Sequence, residues 1–387
     1  MGATLTRSPA EIKLLFAALS GFSDVADLLE VSRRQLAYYT HAGQRYRSFQ
    51  IPKKTGGMRD ILAPANSLCI IQRKLNFVLQ AVYMPSGVVH GFVNDRGIVS
   101  NAAEHSRSKY VFNIDIKDFF PSITFPRVRG MFMARPYQLP PNVATILARI
   151  CCFNGALPQG APTSPAVSNM VCARLDSQLK QLAIEYRCKY SRYADDITLS
   201  TYLLRFPRSL AYFEEKERGG NIRVGDRLRK VIQSNGFEIN EKKVRLQHRS
   251  RRQEVTGLTS NQFPNVSRSF VRQVRAMLHA WQKYGLDAAG GEFFEKYDYK
   301  NRRSAAPELF RLVVKGKIDF LGMVKGKEDR PYLSALRKYA DLDPAYTLPP
   351  EAIAMVTSLD TLRQAVWMVE GTAGQGTAFS LRGRGLI

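Results

Sequence analysis

The sequence has few cysteines, few acidic residues and no long apolar run, and each shortage excludes a class of protein. The five cysteines are odd in number and no two have the spacing of a zinc site, so we expect reduced core thiols. No apolar run is long enough to span a bilayer, and residues 1–7 are too polar for a secretory signal. These features predict a cytoplasmic globular protein that does not contact the membrane.

Acidic residues are outnumbered by basic ones along the whole chain. The 387 residues include 57 Lys and Arg against 33 Asp and Glu, which gives a net charge of +24. An excess of this size predicts a polyanionic partner, and binding to it should weaken steeply with salt. The length allows two or three substructures with a substantial core. Charge alone does not distinguish RNA from DNA as the partner.

Two adjacent carboxylates are the most informative feature that is present. Asp195 and Asp196 lie between two strand-like runs in residues 189–200, Lys-Tyr-Ser-Arg-Tyr-Ala-Asp-Asp-Ile-Thr-Leu-Ser. Like charges in such a place are costly unless a cation lies beside them, and Mg²⁺ prefers carboxylates and phosphates. Taken alone, an Asp-Asp pair is more often a solvated hairpin turn, so the interpretation depends on other segments.

A second acidic segment follows an apolar strand. Residues 110–116 read Tyr-Val-Phe-Asn-Ile-Asp-Ile, which places Asp115 at or near the end of a buried strand. Asp118 lies beyond the strand and is predicted to be a turn or capping residue. One strand-end carboxylate and a neighbouring acidic hairpin suit phosphoryl transfer assisted by two metal ions.

A third segment supplies a rigid loop of low bulk. Residues 157–165 read Leu-Pro-Gln-Gly-Ala-Pro-Thr-Ser-Pro, which would let a flat base pair approach the backbone closely. With residues 112–120 and 193–196 in this order, the chain resembles the reverse transcriptases. Residues 236–243 are similar to the fourth palm motif of that family, and residues 51–61 to its fingers hairpin. The resemblance covers roughly residues 45 to 340.

Two short motifs narrow the resemblance to the retron reverse transcriptases. Residues 101–105 match their Asn-Ala-x-x-His signature, and residues 255–257 match their Val-Thr-Gly signature. The resemblance implies RNA contacts by Asn101, His105, Val255, Thr256 and Gly257. For His105, a helix-face histidine with an ordinary hydrogen bond is an equally open alternative.

The resemblance also implies roles around the acidic residues. Asp115, Asp195 and Asp196 would bind two Mg²⁺ ions, with a main-chain carbonyl, that of Ile116, completing one coordination shell. Lys53 or Lys54 and Arg59 would hold the triphosphate of the incoming deoxynucleotide, and Gln159 would contact that nucleotide or the template base. Phe120 would be the steric gate that selects the deoxyribose, which leaves Phe119 in the core.

Basic residues further along the chain complete the implied site. Lys242 or Lys243 would protonate the leaving pyrophosphate, with a solvated lysine as the alternative. Residues 267–284 have helical apolar spacing that predicts a core position for Trp281. On another face of that helix, Arg268, Arg272 and Arg275 would grip structured RNA.

The fold implied is α+β, a right-hand polymerase with fingers, palm and thumb. The palm is expected to be a small antiparallel sheet backed by helices, and the thumb to be helical. The predicted segments are N-terminal helices at 1–44, fingers at 45–111, palm at 112–258 with a fingers return at about 127–155 and an insertion at about 202–229, thumb at 259–345, and a C-terminal extension at 346–387.

The C-terminal extension has a pattern of its own. Residues 377–387 predict a hairpin cut off in its second strand, and the segment weakly resembles the opening of a trypsin-like protease domain. It carries none of that family's catalytic residues. We expect the natural protein to continue past Ile387; the alternative is a short tail that packs on the thumb.

The expected function is that of a retron RNA-directed DNA polymerase. Such enzymes start synthesis from a 2′-hydroxyl of their own structured noncoding RNA, make a branched RNA–DNA hybrid (msDNA) from dNTPs, and act in bacterial antiphage defence with an effector protein or a fused effector domain. One alternative is a group II intron-like, diversity-generating or other defence reverse transcriptase, although we find no maturase-like or endonuclease motif after the thumb. Another is a nucleic-acid scaffold that restrains a toxic effector.

Overall fold

The chain divides into two compact units, Met1–Phe263 and Pro264–Ile387. The computed structural model describes residues 5–41, 46–53, 56–214, 222–297, 307–350, 352–353, 366–371, 374–381 and 385–386. Within these ranges, no helix is long and apolar enough to cross a membrane. The five cysteines are free, and all but Cys69 are buried, as the sequence predicted.

The first unit begins with three helices and a hairpin. They are α1 (Pro9–Ala17), α2 (Phe22–Leu28), α3 (Arg33–His41), β1 (Tyr46–Pro52) and β2 (Met58–Pro64). Ser8 and Glu11 form a capping box at the start of α1. At the start of α3, Ser32 Oγ accepts a hydrogen bond from the backbone N–H of Gln35.

The rest of the first unit alternates helices with short strands. In chain order they are α4 (Asn66–Val82), α5 (Ile98–Glu104), β3 (Tyr110–Asp115), α6 (Phe119–Ser122), α7 (Phe125–Met133), α8 (Pro141–Cys151), α9 (Ser164–Val171), α10 (Ala173–Glu185), β4 (Lys189–Tyr193), β5 (Asp196–Thr201), β6 (Ala211–Phe213), β7 (Ile222–Val224), α11 (Asp226–Ser234), a 3-10 turn (Glu241–Lys243), β8 (Arg245–His248), β9 (Glu254–Val255) and β10 (Leu258–Thr259).

A four-stranded antiparallel sheet forms the centre of this unit, in the order β4-β5-β3-β8. The central strands β3 and β5 are almost entirely buried; β3 is mostly apolar, whereas β5 buries Thr198, Ser200 and Thr201 beside Ile197 and Leu199. Helix α10 packs against β4 and contributes Leu175 and Leu179 to a core shared with Phe112 and Leu199. This is the small sheet backed by helices that the sequence predicted for the palm.

Two segments of this unit add detail to the predicted organisation. The pattern of residues 166 to about 182 predicts one helix, whereas the structure has two, α9 and α10, which meet at Cys172. Helix α11 begins at Asp226, within the last residues of the segment of about 202–229 that is predicted to be an insertion. Gly225 precedes α11 and lies so close to Ser209 that an added Cβ would be 2.3 Å from its carbonyl carbon. That contact ends the β6–β7 hairpin, whose tip lies outside the described residues.

The second unit contains four helices and a small sheet in its described part. They are α12 (Arg268–Tyr284), α13 (Leu286–Tyr297), α14 (Pro307–Lys325), α15 (Arg330–Leu342), β11 (Val366–Gly371), β12 (Gly374–Leu381) and β13 (Gly385–Leu386). Trp281 is buried against Phe310 and Tyr339, so its predicted core position is confirmed. The predicted C-terminal hairpin is β12–β13, and β11 adds a third antiparallel strand.

Candidate active site

The strand register brings the predicted carboxylates together. Asp115, the last residue of β3, is paired with Asp196, the first residue of β5. Strand β4 pairs Tyr193 with Asp196, which leaves Ala194 and Asp195 as the connecting turn. The backbone N–H of Ile116 donates to the Asp195 carbonyl at 3.0 Å. Two segments that are distant in the sequence therefore meet at one end of the sheet.

The environment of these carboxylates disfavours their charged forms. Burial raises the pKa of Asp195, and the charge of Asp115 raises it further. Burial raises the pKa of Asp196 to about 7, with the charges of Asp195 and Asp115 adding to the effect. The site is therefore short of positive charge.

Lys243 supplies part of the missing positive charge. Its Nζ donates to Asp115 Oδ2 at 2.7 Å. The backbone N–H of Asn240 donates to the Asp115 carbonyl at 2.9 Å, which ties the 3-10 turn to the end of β3. Lys242, on the same turn, is exposed. Of the two lysines that the sequence left open, the structure brings Lys243 to the carboxylates.

The donor set fits a divalent cation. Among the residues that the structure describes, no group of three His, Cys, Asp or Glu side chains is arranged so that it could hold a metal ion as it stands. Burial and neighbouring negative charge nevertheless raise the pKa of Asp195 and Asp196, a bound cation would offset both effects, and carboxylate oxygens are ligands that Mg²⁺ prefers. Asp115, Asp195 and Asp196 could hold such an ion if it replaced Lys243 as the counter-charge of Asp115.

Aromatic rings lie beside the acidic residues. Phe120 is half-buried in α6, whereas Phe119 is buried, as predicted. The Phe120 ring centroid lies 5.3 Å from that of Phe119 and 6.4 Å from that of Phe92. Phe92 is exposed, has a φ of 59°, and lies 6.5 Å from the Tyr193 ring. The sequence does not single out Phe92. Its positive φ is unusual for a residue other than glycine, and only a structure shows it.

The β1–β2 hairpin, which corresponds to the predicted fingers hairpin, exposes Lys53 and Arg59 to solvent. Lys53 closes the turn between β1 and β2 by donating its backbone N–H to the Gly57 carbonyl at 2.9 Å. Arg59 pairs with Ile51 in the hairpin, and its charge lowers the pKa of Asp195, so it lies near enough to act on the site. Lys54 lies outside the described residues. Nucleotide contacts by this hairpin stay a prediction.

The low-bulk loop is attached to the same hairpin. The Gln159 carbonyl accepts from the backbone N–H of Leu62 in β2 at 2.8 Å. Gly160 has a φ of 128°, and an added Cβ there would lie 2.8 Å from the Leu62 carbonyl oxygen. Glycine is therefore required where this loop meets the hairpin. The contact joins the loop of Gln159 to the hairpin that carries Arg59; a nucleotide contact by Gln159 stays a prediction.

The predicted RNA contacts of Asn101 and His105 are corrected by the structure. Both side chains are fully buried. The two imidazole nitrogens hydrogen-bond with Ser200 Oγ at 2.8 Å and Ser191 Oγ at 2.7 Å. The Ser191 hydroxyl donates a hydrogen bond to Asn101 Oδ1 at 2.6 Å, so its oxygen can only accept from the histidine. The neutral His105 ring therefore donates from Nε2 to Ser191 and accepts at Nδ1 from Ser200. Burial lowers the pKa of His105 to about 3. The pair joins α5 to strands β4 and β5.

The second signature motif packs against the first. Val255 is fully buried, so its predicted RNA contact is also corrected. Thr256, with a φ of 47°, and Gly257, with a φ of 80°, form the turn between β9 and β10. Thr256 Oγ1 donates to the Ile98 carbonyl of α5 at 3.2 Å. Thr256 and Gly257 retain some exposure, so their RNA contacts stay predictions.

Comparisons with known proteins agree with this geometry. A family model described as reverse transcriptase (RNA-dependent DNA polymerase) matches residues 51–323. The chain belongs to the reverse transcriptase family. Three curated relatives identify the family member as retron-type, and each shares about a third of its aligned residues with this chain.

Two of these relatives come from Myxococcus xanthus. Retron Mx65 reverse transcriptase is 37% identical over 66% of this chain and 62% of its own length. Retron Mx162 reverse transcriptase is 32% identical over 79% of this chain and 63% of its own length. Retron Ec86 reverse transcriptase of Escherichia coli is 32% identical over 66% of this chain and 75% of its own length. The alignments with the two Myxococcus relatives thus span somewhat less than two thirds of their length.

One charged residue of this reverse transcriptase was missed by the sequence analysis. Arg192 of β4 is fully buried, and Asp176 of α10 is its ion-pair partner. A charged residue within a strand-like run was the available signal. Its partner lies on the preceding helix, and the sequence does not show that the two side chains meet.

Proposed function

We propose that this retron-type reverse transcriptase is an RNA-directed DNA polymerase that copies its own noncoding RNA into a branched RNA–DNA hybrid (msDNA). It would act in the bacterial cytoplasm, in antiphage defence together with an effector protein or a fused effector domain. The observation that carries the polymerase assignment is the register of β3 with β5, which joins Asp115, Asp196 and the Asp195 turn at one end of the sheet.

The reaction joins a primer hydroxyl to the α-phosphorus of a dNTP and breaks the bond to pyrophosphate. Asp115, Asp195, Asp196 and the Ile116 carbonyl would hold two Mg²⁺ ions. When bound, such ions lower the pKa of the attacking hydroxyl and neutralise the departing pyrophosphate. Lys243 lies within hydrogen-bond reach of Asp115, which makes it the candidate general acid for the leaving group.

The nucleotide would lie between the fingers hairpin and the aromatic residues. Lys53 and Arg59 would contact its triphosphate, because exposed Lys and Arg suit mobile and bidentate phosphate contacts respectively. Gln159 would contact the base pair. Phe120 would collide with a ribose 2′-hydroxyl and so select deoxynucleotides. Support for this arrangement comes from the hydrogen bond between the Gln159 carbonyl and the backbone N–H of Leu62, which joins the loop of Gln159 to the hairpin that carries Lys53 and Arg59.

Structured RNA would bind the exposed face of α12. Arg268, Arg272 and Arg275 are exposed, and their spacing along α12 puts them on one side of the helix. Val274, Met277 and Leu278 are buried on the other side. A net charge of +24 supports a polyanion as the partner.

The test begins with protein purified from cells that carry its native neighbouring DNA. The bound nucleic acid is analysed after separate RNase and DNase digestion. We expect a discrete DNA attached to RNA, absent from an Asp195→Asn/Asp196→Asn variant that still retains RNA. Asp118→Asn is the matched control, because Asp118 is exposed and has a left-handed backbone that asparagine also adopts.

Other outcomes would separate the parts of the proposal. Bound RNA without DNA, together with activity on an added primer and template, would contradict the retron product and keep the polymerase. DNA synthesis by the Asp195→Asn/Asp196→Asn variant would remove these residues from the site. A wild-type protein inactive on every primer and template would refute the polymerase assignment.

A further inference from the structure

Gly91 lies directly against the turn that carries Asp195. The segment before it runs beside β4, since Val89 forms a parallel bridge with Arg192. The backbone N–H of Arg192 donates to the Val88 carbonyl at 2.9 Å, and that of His90 donates to the Arg192 carbonyl at 2.9 Å. An added Cβ on Gly91 would lie 2.6 Å from the backbone nitrogen of Ala194. Only glycine fits here without displacing the turn.

The Arg192 side chain reaches the same turn from inside the protein. Its Nε and Nη2 each donate to one carboxylate oxygen of Asp176, both at 2.7 Å. Its Nη1 donates to the Ala194 carbonyl at 3.1 Å. A buried ion pair is tolerated only when its remaining hydrogen-bonding groups are also satisfied. Here Nη1 is directed at the backbone of the turn and at Asn169 rather than at solvent.

Asn169 connects these two contacts. Its Nδ2 donates to the Gly91 carbonyl at 2.8 Å, and its Oδ1 accepts from Arg192 Nη1 at 3.1 Å. Gly91 and Arg192 contact Ala194, while Asn169 and Asp176 hold those two residues in place; we call these four residues the turn clamp. Ala194 needs such support, because its φ of 55° lies in the left-handed region that alanine rarely adopts.

We propose that the turn clamp is a positioning device that fixes Ala194 and thereby sets where Asp195 and Asp196 stand relative to Asp115. This inference rests on the proposed polymerase function. The residues of the clamp act through the backbone of the turn, so they are positioning residues. Displacing the turn should slow nucleotide incorporation and weaken divalent-cation binding while substrate binding is retained.

Gly91→Ala is the direct test, and Gly87→Ala is its matched control. An added Cβ on Gly87 would meet nothing within 4 Å. We expect Gly91→Ala to lower kcat for dNTP incorporation on the order of a hundredfold, which a displacement of about 1 Å can cause. KM for dNTP and the amount of retained RNA should stay near wild-type values. Mn²⁺, titrated by EPR as the probe cation, should bind more weakly to Gly91→Ala than to Gly87→Ala.

Asn169→Ala is a second variant that loosens the clamp without adding bulk. It should lose less kcat than Gly91→Ala, again without a change in KM, and it keeps the proposal testable if Gly91→Ala does not fold. Wild-type kcat and Mn²⁺ affinity in Asn169→Ala would overturn the inference. So would equal losses in Gly87→Ala, or an Asn169→Ala protein that fails to fold, since the contacts would then serve stability alone. An inactive wild type would instead refute the proposed function.

Discussion

His105 makes the stability of this protein depend on pH. The ring is fully buried, and burial lowers its pKa from 6.5 to about 3, with the charges of Lys189 and His90 adding to the effect. Below pH 6.5 the unfolded chain takes up a proton that the folded chain cannot, so the free energy of unfolding falls as pH falls towards 3. Each pH unit in this window removes about 1.4 kcal/mol. Acidification from pH 7 to 5 should therefore remove about 2 kcal/mol through His105.

Urea unfolding of wild type and His105→Gln at pH 7 and pH 5 tests this effect. Glutamine does not titrate, so the variant should lose about 2 kcal/mol less on acidification than the wild type. At pH 7 the variant should itself be less stable by about 1–3 kcal/mol, because a buried serine loses its hydrogen-bond partner. His279→Gln is the control, since His279 is exposed on α12 and should leave the wild-type pH response unchanged.

Equal losses of stability in His105→Gln and the wild type between pH 7 and pH 5 would refute this effect of His105. His105 would then be protonated within the folded protein, which requires solvent access. Such a result would restore the interpretation of this histidine as an RNA contact.

Three further predictions concern the site and the thumb. Phe120→Ala should admit ribonucleotides, measured as the ratio of kcat/KM for dNTP to that for rNTP; an unchanged ratio would move the gate elsewhere. Lys243→Ala should slow incorporation by about 10²-fold or more if Lys243 is the general acid, whereas Lys242→Ala on the same turn should not; equal rates of the two variants would contradict that role. Arg272→Ala should lower the slope of log affinity for RNA against log salt by about 0.7 to 0.9; an unchanged slope in a salt titration would remove Arg272 from the RNA surface.

Much of the fold could be predicted because its signals are local. Apolar runs and Ser8 with Glu11 determine strands and helix starts through contacts between near neighbours in the chain. The broken helix at Cys172 and the early start of α11 were not predictable in this way. The close approach of Gly225 to Ser209, for example, depends on how a hairpin folds back on itself.

The candidate catalytic carboxylates could be recognised from the sequence alone. Asp115, Asp195 and Asp196 stand out because a carboxylate within or at the end of a strand is costly unless a cation lies beside it. Their order along the chain carried the resemblance to the family. Trp281 was correctly assigned to the core because apolar periodicity reports which side chains are buried, and the core position of Phe119, which the resemblance implied, is also confirmed.

The pairing of polar side chains and their exposure to solvent become visible only in the three-dimensional fold. His105 meets Ser200, Lys243 meets Asp115, and Arg192 meets Asp176 across long stretches of chain. The energy of each pair depends on burial and on distances of a few ångströms, and a sequence motif contains neither quantity. The motif singled out His105 as a candidate RNA contact. The fold instead places its ring in the core, where it hydrogen-bonds with Ser191 of β4 and Ser200 of β5.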